Sequence, residues 1–534
     1  MNTSEVIVAY LQAAGIGHVF GYPGDPSVEF LEAARRAGLQ FVLGSREGTS
    51  GLMAEAYGQL TGRPGVCLST LGPGSTNLVN AVANAWLDRA PMIAISGQIE
   101  TRREPTFTHQ VIDHQLLFKP ISKWATAVQP HTVGHIMRKA LRVAMAERPG
   151  PVHLTTAADV VGAAASDDAV LLPPLTAVRS LQVFSAAGAV CDPVKQLKQA
   201  RRPVLLVGHS AVWSEAGAAV RRLAEALQCP VVVSPMAKGI VNETHASFAG
   251  TLDMACNAFV WDFLRRADLL LAVGFDAVEL IKPWTLKVPT IHIDSVPNSD
   301  QVYSAELELV GDIAQILDAL GGADVGPGDW TRAELTAHRA RLRELYTAGR
   351  VSGRLNPSDV VDLVRAASPA DAIASTDVGS HKLLVGQGWT THRPRRMLMS
   401  NGLSSMGYSL PAAITAQLLN PTQPVVCFTG DGGLAMVQAE LRVAATLGVA
   451  PLVVVFCDGS LNRIELKQAA RQYPSWGTRI APTDIAMLAE AMGCDGVNVD
   501  SAKGLEAALS MSRSDARPLV IGARIAPDQY AAQF

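Results

Sequence analysis

Two stretches carry side chains whose type and spacing could hold a charged group. Thr429-Gly430-Asp431-Gly432-Gly433 follows the apolar run Pro424-Val425-Val426-Cys427-Phe428, and Cys457-Asp458-Gly459-Ser460 follows Pro451-Leu452-Val453-Val454-Val455-Phe456, so 27 positions separate Asp431 from Asp458. Two carboxylates beside glycine-rich backbone suit a hard cation such as magnesium, which takes oxygen ligands and shares its shell with phosphates. Glycines let the backbone come close to a phosphate, and a helix beginning at Gly433 adds a favourable dipole. An isolated Gly-Asp-Gly also makes a tight turn whose Asp caps a helix. The second carboxylate favours the ligand reading.

The elements that must position these groups follow from hydrophobic patterning. Each apolar run reads as a buried strand, and Leu434–Leu447 reads as the helix between them. A right-handed crossover ends two parallel strands on one sheet edge, so Asp431 and the Asp458 loop are expected side by side at the carboxyl edge where ligands bind. The same alternation starts near the amino terminus. Residues 4–15 have helical spacing with Thr3 or Ser4 as cap, and His18-Val19-Phe20-Gly21 is a strand entering the turn Tyr22-Pro23-Gly24-Asp25-Pro26. Phe41-Val42-Leu43-Gly44 delivers Ser45-Arg46-Glu47 at a strand-to-helix junction. Gly65–Thr70, Pro91–Gly97 and 149–154 read as further strands, with a helix at Leu78–Leu87. Pro203–Gly208 and Ala267–Gly274 mark a middle α/β domain in which neither strand opens into a GxGxxG turn, so the dinucleotide signature is absent. Ala163–Ser180 reads as a linker and Trp330–Arg350 as a charged helix. The fold class is therefore α/β, with three doubly wound parallel-sheet domains expected at 1–165, 185–330 and 355–534.

Composition bounds the partners. A chain of 534 residues needs about three domains, and 48% hydrophobic with 17% charged residues describes a well-buried globular protein. A net charge of −3 gives no electrostatic case for nucleic acid or membrane. The seven cysteines show no CxxC or zinc spacing, as expected of reduced thiols in the cytoplasm. The amino terminus lacks a signal-peptide pattern, and no apolar run is long enough to span a membrane.

The Gly-Asp-Gly and the Asp458-Gly459-Ser460 loop together resemble the cofactor motif of the thiamine diphosphate enzymes that include acetolactate synthase, pyruvate oxidase and benzoylformate decarboxylase. Those enzymes usually carry Asn-Asn where this chain has Asp458-Gly459; Asp keeps an oxygen ligand and adds negative charge. Gly21-Tyr22-Pro23-Gly24, Arg46-Glu47, Leu71-Gly72-Pro73-Gly74 and Pro91–Gly97 resemble the family's pyrimidine-binding domain, Asp377-Val378-Gly379-Ser380-His381 its diphosphate-contact loop, and Asn401-Gly402-Leu403-Ser404-Ser405-Met406-Gly407 the segment that wedges an apolar side chain between the cofactor rings. The resemblance covers nearly the whole chain.

It implies thiamine diphosphate and Mg2+. Asp431, Asp458 and the Ser460 carbonyl would hold the metal, and Gly379, Ser380, His381, Gly402, Leu403, Met406, Gly430, Gly432 and Gly433 would line the cofactor. Glu47 would contact a ring nitrogen of the aminopyrimidine. Gln110 matches a glutamine of acetolactate synthases, and His109 and His114 are candidate proton carriers near neutral pH. Asp25 matches relatives that only decarboxylate pyruvate, although a turn residue before Pro26 also shapes a loop. Arg463, Glu465, Lys467 and Gln468 fall where relatives set substrate-facing side chains, but the tryptophan of anabolic acetolactate synthases is missing there. The implied activity is a decarboxylating carboligase acting on a 2-oxo acid such as pyruvate, with simple decarboxylation to an aldehyde, or lysis of another 2-oxo or 2-hydroxyacyl substrate, as the alternative. Flavin (FAD), bound by the central domain of some members, is not expected. A homodimer or homotetramer with active sites between subunits is expected.

Overall fold

The computed structural model describes residues 1–166, 193–511 and 516–533. The expected linker falls outside these residues from position 167 onward, as do Cys191 and the expected start of the middle domain at 185.

The described residues form three six-stranded sheets, parallel throughout. The first contains β1 (His18–Gly21), β2 (Gln40–Leu43), β3 (Gly65–Ser69), β4 (Met92–Gln98), β5 (Trp124–Ala127) and β6 (Pro151–Ala157). The second contains β7 (Pro203–Val207), β8 (Val231–Val233), β9 (Phe248–Thr251), β10 (Leu269–Val273), β11 (Thr290–Asp294) and β12 (Leu307–Val310). The third contains β13 (Ile373–Thr376), β14 (Met397–Met399), β15 (Val425–Gly430), β16 (Leu452–Cys457), β17 (Asp495–Val499) and β18 (Leu519–Arg524). Every residue of β7 and β10 is buried, as are Val425–Thr429 and Leu452–Phe456. Such strands, covered on both faces, read as continuous apolar runs rather than as alternation. Short or half-exposed edge strands lack that signature. Trp124–Ala127 is partly exposed at its first three positions and exposed at its last, so it carries no continuous apolar run.

The strand order of the first sheet is β2-β1-β3-β4-β6-β5 and that of the third is β14-β13-β15-β16-β18-β17, the same order once each sheet is numbered from its own first strand. The second runs β12-β11-β10-β7-β8-β9, which has the 3-2-1-4-5-6 order of dinucleotide-binding folds. Topology is thus shared where the sequence shows no repeat.

The chain divides into two compact units. Among the described residues the first takes 1–166 together with Gly402–Pro421 and Val437–Val449, and the second takes the remainder. Within the first, helix Glu47–Thr61 is buried over most of its length and packs on helix Ser409–Leu419. Gly51, whose added Cβ would meet Ala81 Cβ at 2.5 Å, shows how closely that helix approaches helix Pro73–Leu87.

Two local expectations are corrected. The helix after Gly-Asp-Gly is two helices, Asp431–Val437 and Glu440–Leu447. The first helix, Thr3–Ala13, is capped by Asn2, whose Oδ1 accepts the Glu5 N–H at 2.8 Å while Glu5 Oε2 accepts the Asn2 N–H at 3.0 Å. Thr3 and Ser4, the expected caps, instead donate their hydroxyls to the carbonyls of Ala163 and Val161.

Candidate active site

In the second unit, strand order reverses between β13 and β15, and their carboxyl ends deliver Asp377 and Asp431 to one edge. The register pairs Gly430 with Phe456, so Asp431 and Asp458 leave neighbouring strands together. Asp431 organises the turn: Oδ1 accepts the Gly432 N–H at 2.8 Å and Oδ2 accepts the Gly459 N–H at 2.8 Å. Asp458 Oδ1 accepts the Ser460 N–H at 3.1 Å. Burial raises the Asp431 carboxyl above its ordinary value, and burial plus the Asp431 charge push Asp458 up to about 7. Two half-buried carboxylates that repel each other fit a divalent cation with oxygen ligands. Among the described residues no group of three or more His, Cys, Asp or Glu could hold a metal, so a cation here needs ligands from a bound phosphate or water.

The surrounding loop is shaped for such a phosphate. Gly379 has φ +152°, and a Cβ there would meet His381 Cε1 at 2.8 Å; at Gly430 the same atom would lie 3.2 Å away. His381 is buried, stacks on Phe456 at 5.2 Å, and burial holds it neutral with a pKa lowered to about 3. Its Nε2 has no hydrogen-bond partner in the protein. Gly433 brings helix Asp431–Val437 against Asp377, because a Cβ would sit 2.5 Å from Asp377 Oδ2, the atom that accepts the Thr429 hydroxyl at 3.1 Å. The Ser380 hydroxyl is already donated to Asn462 Oδ1 at 2.6 Å, tying the loops after β13 and β16 together. Small glycines, an unpartnered buried imidazole nitrogen and two oxygen donors fit a diphosphate with its magnesium. Asp377 and Asn462 were absent from the sequence-derived set. Asp377 stood inside the resembling loop, while the Asn462 contact crosses 82 positions and leaves no local signal.

Glu465 is tied to partners in the segment that follows β16. It accepts the hydroxyls of Ser460 and Ser475, the latter at 2.6 Å, and pairs with Arg479 at 2.7 Å. Gln468 Nε2 donates to the Trp476 carbonyl at 2.9 Å, and Trp476 itself is 84% exposed.

In the first unit, Glu47 opens helix Glu47–Thr61 and is buried. Its Oε2 accepts Asn77 Nδ2 at 3.1 Å, and a Cβ on Gly74 would lie 2.9 Å from its Oε1. Glycine at 74 therefore leaves room for the carboxylate, and Asn77 orients it. Ser45 and Thr49, flanking Glu47, donate to the buried Glu440 carboxylate, Thr49 at 2.5 Å. Gln110, at φ +60°, lies against Gly72, whose added Cβ would be 2.9 Å from Gln110 Cβ. Asp25 is exposed at the start of the turn Asp25–Ser27. His109 is exposed beside Phe107. His114 is in the core, 6.0 Å from the His153 ring, and burial lowers it to about 4, so it is uncharged at neutral pH. Gly402, Leu403 and Met406 share one loop of this unit, and Met406 is half-buried.

The middle sheet's switch point lies between β7 and β10. There the buried Glu279 carboxylate accepts the N–H groups of His209 at 2.9 Å and Asp276 at 3.3 Å, together with the Ser234 hydroxyl. The His209 and Asp276 N–H groups at this crevice are thus already bonded within the protein.

Residues 1–117 match the model of the thiamine pyrophosphate enzyme N-terminal TPP binding domain, residues 192–320 that of the central domain and residues 377–523 that of the C-terminal TPP binding domain. The chain is 32% identical over 533 residues to the acetolactate synthase isozyme 2 large subunit of Escherichia coli, covering 96% of this chain and 94% of that one. It is 30% identical over 531 residues to the catabolic acetolactate synthase of Raoultella terrigena, covering 97% and 94%. It is also 30% identical over 517 residues to a probable 2-ketoarginine decarboxylase of Pseudomonas aeruginosa, covering 92% and 89%. No helix among the described residues is long and apolar enough to cross a membrane. With three domain models matched in order and such relatives along the chain, this protein belongs to the thiamine pyrophosphate enzymes and is a thiamine diphosphate-dependent catalyst of the carboligating and decarboxylating kind.

Proposed function

We propose that the chain is a magnesium-dependent carboligase that decarboxylates a 2-oxo acid, pyruvate first among candidates, and joins the remaining fragment to a second carbonyl compound. The observation that carries the cofactor half of this reading is the Asp431–Asp458 pair, set on adjacent strand ends beside Gly379, Gly430 and His381. The carboligase half rests on the acetolactate synthases among the relatives. When bound, thiamine diphosphate supplies the electron sink for the pair left behind as carbon dioxide departs.

The protein's own groups have separable tasks. Asp431, Asp458 and the Ser460 carbonyl hold magnesium, and Gly379, Ser380, His381, Gly430, Gly432 and Gly433 cradle the diphosphate. Met406, with Gly402 and Leu403, shapes the seat of the rings. Glu47, oriented by Asn77, exchanges a proton with the pyrimidine ring. Gln110 and His109 sit on an exposed loop suited to meeting the substrate. His114, neutral in the core, is not among the groups to which we assign proton transfer. No flavin takes part, a reading supported by Glu279 taking the His209 and Asp276 N–H groups at the middle sheet's switch point. The enzyme works in the cytoplasm as a homodimer or homotetramer, and a fully active monomer would refute that assembly.

Simple decarboxylation is the second reading, favoured by the exposed Asp25 and by the 2-ketoarginine decarboxylase among the relatives. Purified protein given thiamine diphosphate, magnesium and a panel of 2-oxo acids separates the two: a ligated product supports the carboligase, free aldehyde alone the decarboxylase, and no carbon dioxide from any acid defeats both. Glu47→Gln should lower kcat by about 10²-fold or more with the fold intact, as loss of a positioned proton donor does. Full activity in that variant would remove Glu47 from the mechanism.

A further inference from the structure

The loop that carries Met406 is seated on a buried pair of carboxyl groups. The Gly402 N–H donates to Asp88 Oδ1 at 2.6 Å, and Asn84 Nδ2 donates to the other oxygen at 3.1 Å. Asp88 is 2% exposed and Glu55 is fully buried. Gln59 bridges them, giving Nε2 both to Glu55 Oε1 at 3.2 Å and to the Asp88 carbonyl at 2.9 Å. Tyr408, at the far end of the loop and fully buried, faces Glu55. Between these ends Asn80 Nδ2 donates to Ser405 Oγ at 2.7 Å. A Cβ on Gly402 would lie 2.7 Å from Leu87 Cβ, so the loop is pressed against the end of helix Pro73–Leu87.

Two adjacent carboxyls out of water cannot both ionise cheaply. Asp88 has the Gly402 and Asn84 donors, whereas burial and the Asp88 charge raise Glu55 so that it keeps its proton. Asp88 is therefore an anion whose charge is held against the loop backbone. Such charge-assisted bonds are about twice as strong as neutral ones.

We propose that Asp88, paired with Glu55, is a positioning residue that seats the Gly402–Tyr408 loop and so sets where Met406 stands. The inference rests on the reading of Met406 as a cofactor contact. The titratable groups facing Glu55 are Asp88, from the end of helix Pro73–Leu87, and Tyr408, from the loop.

The test is deuterium exchange of the protein without cofactor, combined with thiamine diphosphate titration in magnesium. Asp88→Asn should raise exchange in residues 402–408 at least 10-fold relative to the strands of the first sheet, and should weaken cofactor binding at least 10-fold. Met406→Ala should weaken binding without loosening the loop. Unchanged loop exchange in Asp88→Asn overturns the seat. A loosened loop with unaltered cofactor affinity overturns its link to the cofactor, and Met406→Ala binding as tightly as the parent overturns the underlying assignment of Met406 instead. Should Asp88→Asn fail to fold, Glu55→Gln keeps Asp88 and mimics protonated Glu55. The parent's cofactor affinity is expected to weaken as pH rises above neutrality and Glu55 ionises beside Asp88, and Glu55→Gln should flatten that fall; the same pH profile in both overturns the pairing.

Discussion

Replacing Glu279 by Gln should make the stability of the middle domain less dependent on pH. The carboxyl is 3% exposed, and burial, with the nearby Asp276 charge, pushes it up to about 8 from an ordinary 4.5. Its folded-state value lies above the unfolded one, so the associated stability is complete below about pH 4.5 and is lost as pH rises through about 8. In that window the unfolded chain has released a proton that the folded one retains, and stability falls by about 1.4 kcal/mol per pH unit. About 3.5 pH units at that slope gives a ceiling of about 5 kcal/mol, and a loss of roughly 2 to 5 kcal/mol is expected.

Gln is the apt probe because its amide reproduces the protonated acid. Its oxygen can accept from His209 and Asp276 as Oε1 does, and its NH2 can donate to the Ser234 hydroxyl. Urea unfolding at intervals from pH 5 to 9, followed by the fluorescence of Trp261 and Trp284 in the same domain, gives the difference between variant and parent directly. The two should agree within about 1 kcal/mol at pH 5, a neutral isosteric exchange, while the variant should be the more stable at pH 9. An equal difference at both ends would show that Glu279 does not carry the proton in the folded domain.

Two further outcomes probe the diphosphate loop. Gly433→Ala places a Cβ 2.5 Å from Asp377 Oδ2 and must displace the Thr429–Asp377 hydrogen bond. The overpacking cost of about 1 to 3 kcal/mol should outweigh the helix-propensity gain of about 1 kcal/mol, so thermal denaturation should show a lower Tm and a smaller shift on adding cofactor; a raised Tm with full cofactor response would refute the close approach. Chelation of divalent cations should abolish the rise in Tm given by thiamine diphosphate, with magnesium restoring it, because Asp431 and Asp458 then face the diphosphate without a neutralising charge. A cofactor shift that survives chelation would remove the metal from the site.

What could be read from sequence was what is encoded over short separations. The runs at Pro203–Val207, Leu269–Val273, Val425–Phe428 and Leu452–Phe456 announce buried parallel strands because both faces are covered, and period and length suffice to see that. Crossover handedness then places Asp431 beside Asp458 without coordinates, and the register bears this out. Tertiary structure decided what depends on separations that no periodicity records. Gly402 and Asp88 are 314 positions apart, and Ser45 and Glu440 are 395 apart. The grouping of Gly402–Pro421 and Val437–Val449 with the first unit is likewise invisible in a linear reading. It arises because small residues on helix Glu47–Thr61 leave a surface on which helix Ser409–Leu419 packs, and shape complementarity between distant segments has no local signature. His114 illustrates the same limit. Its residue type makes it a candidate proton carrier, but that it is buried beside His153 and held neutral is a property of the folded core rather than of the residue.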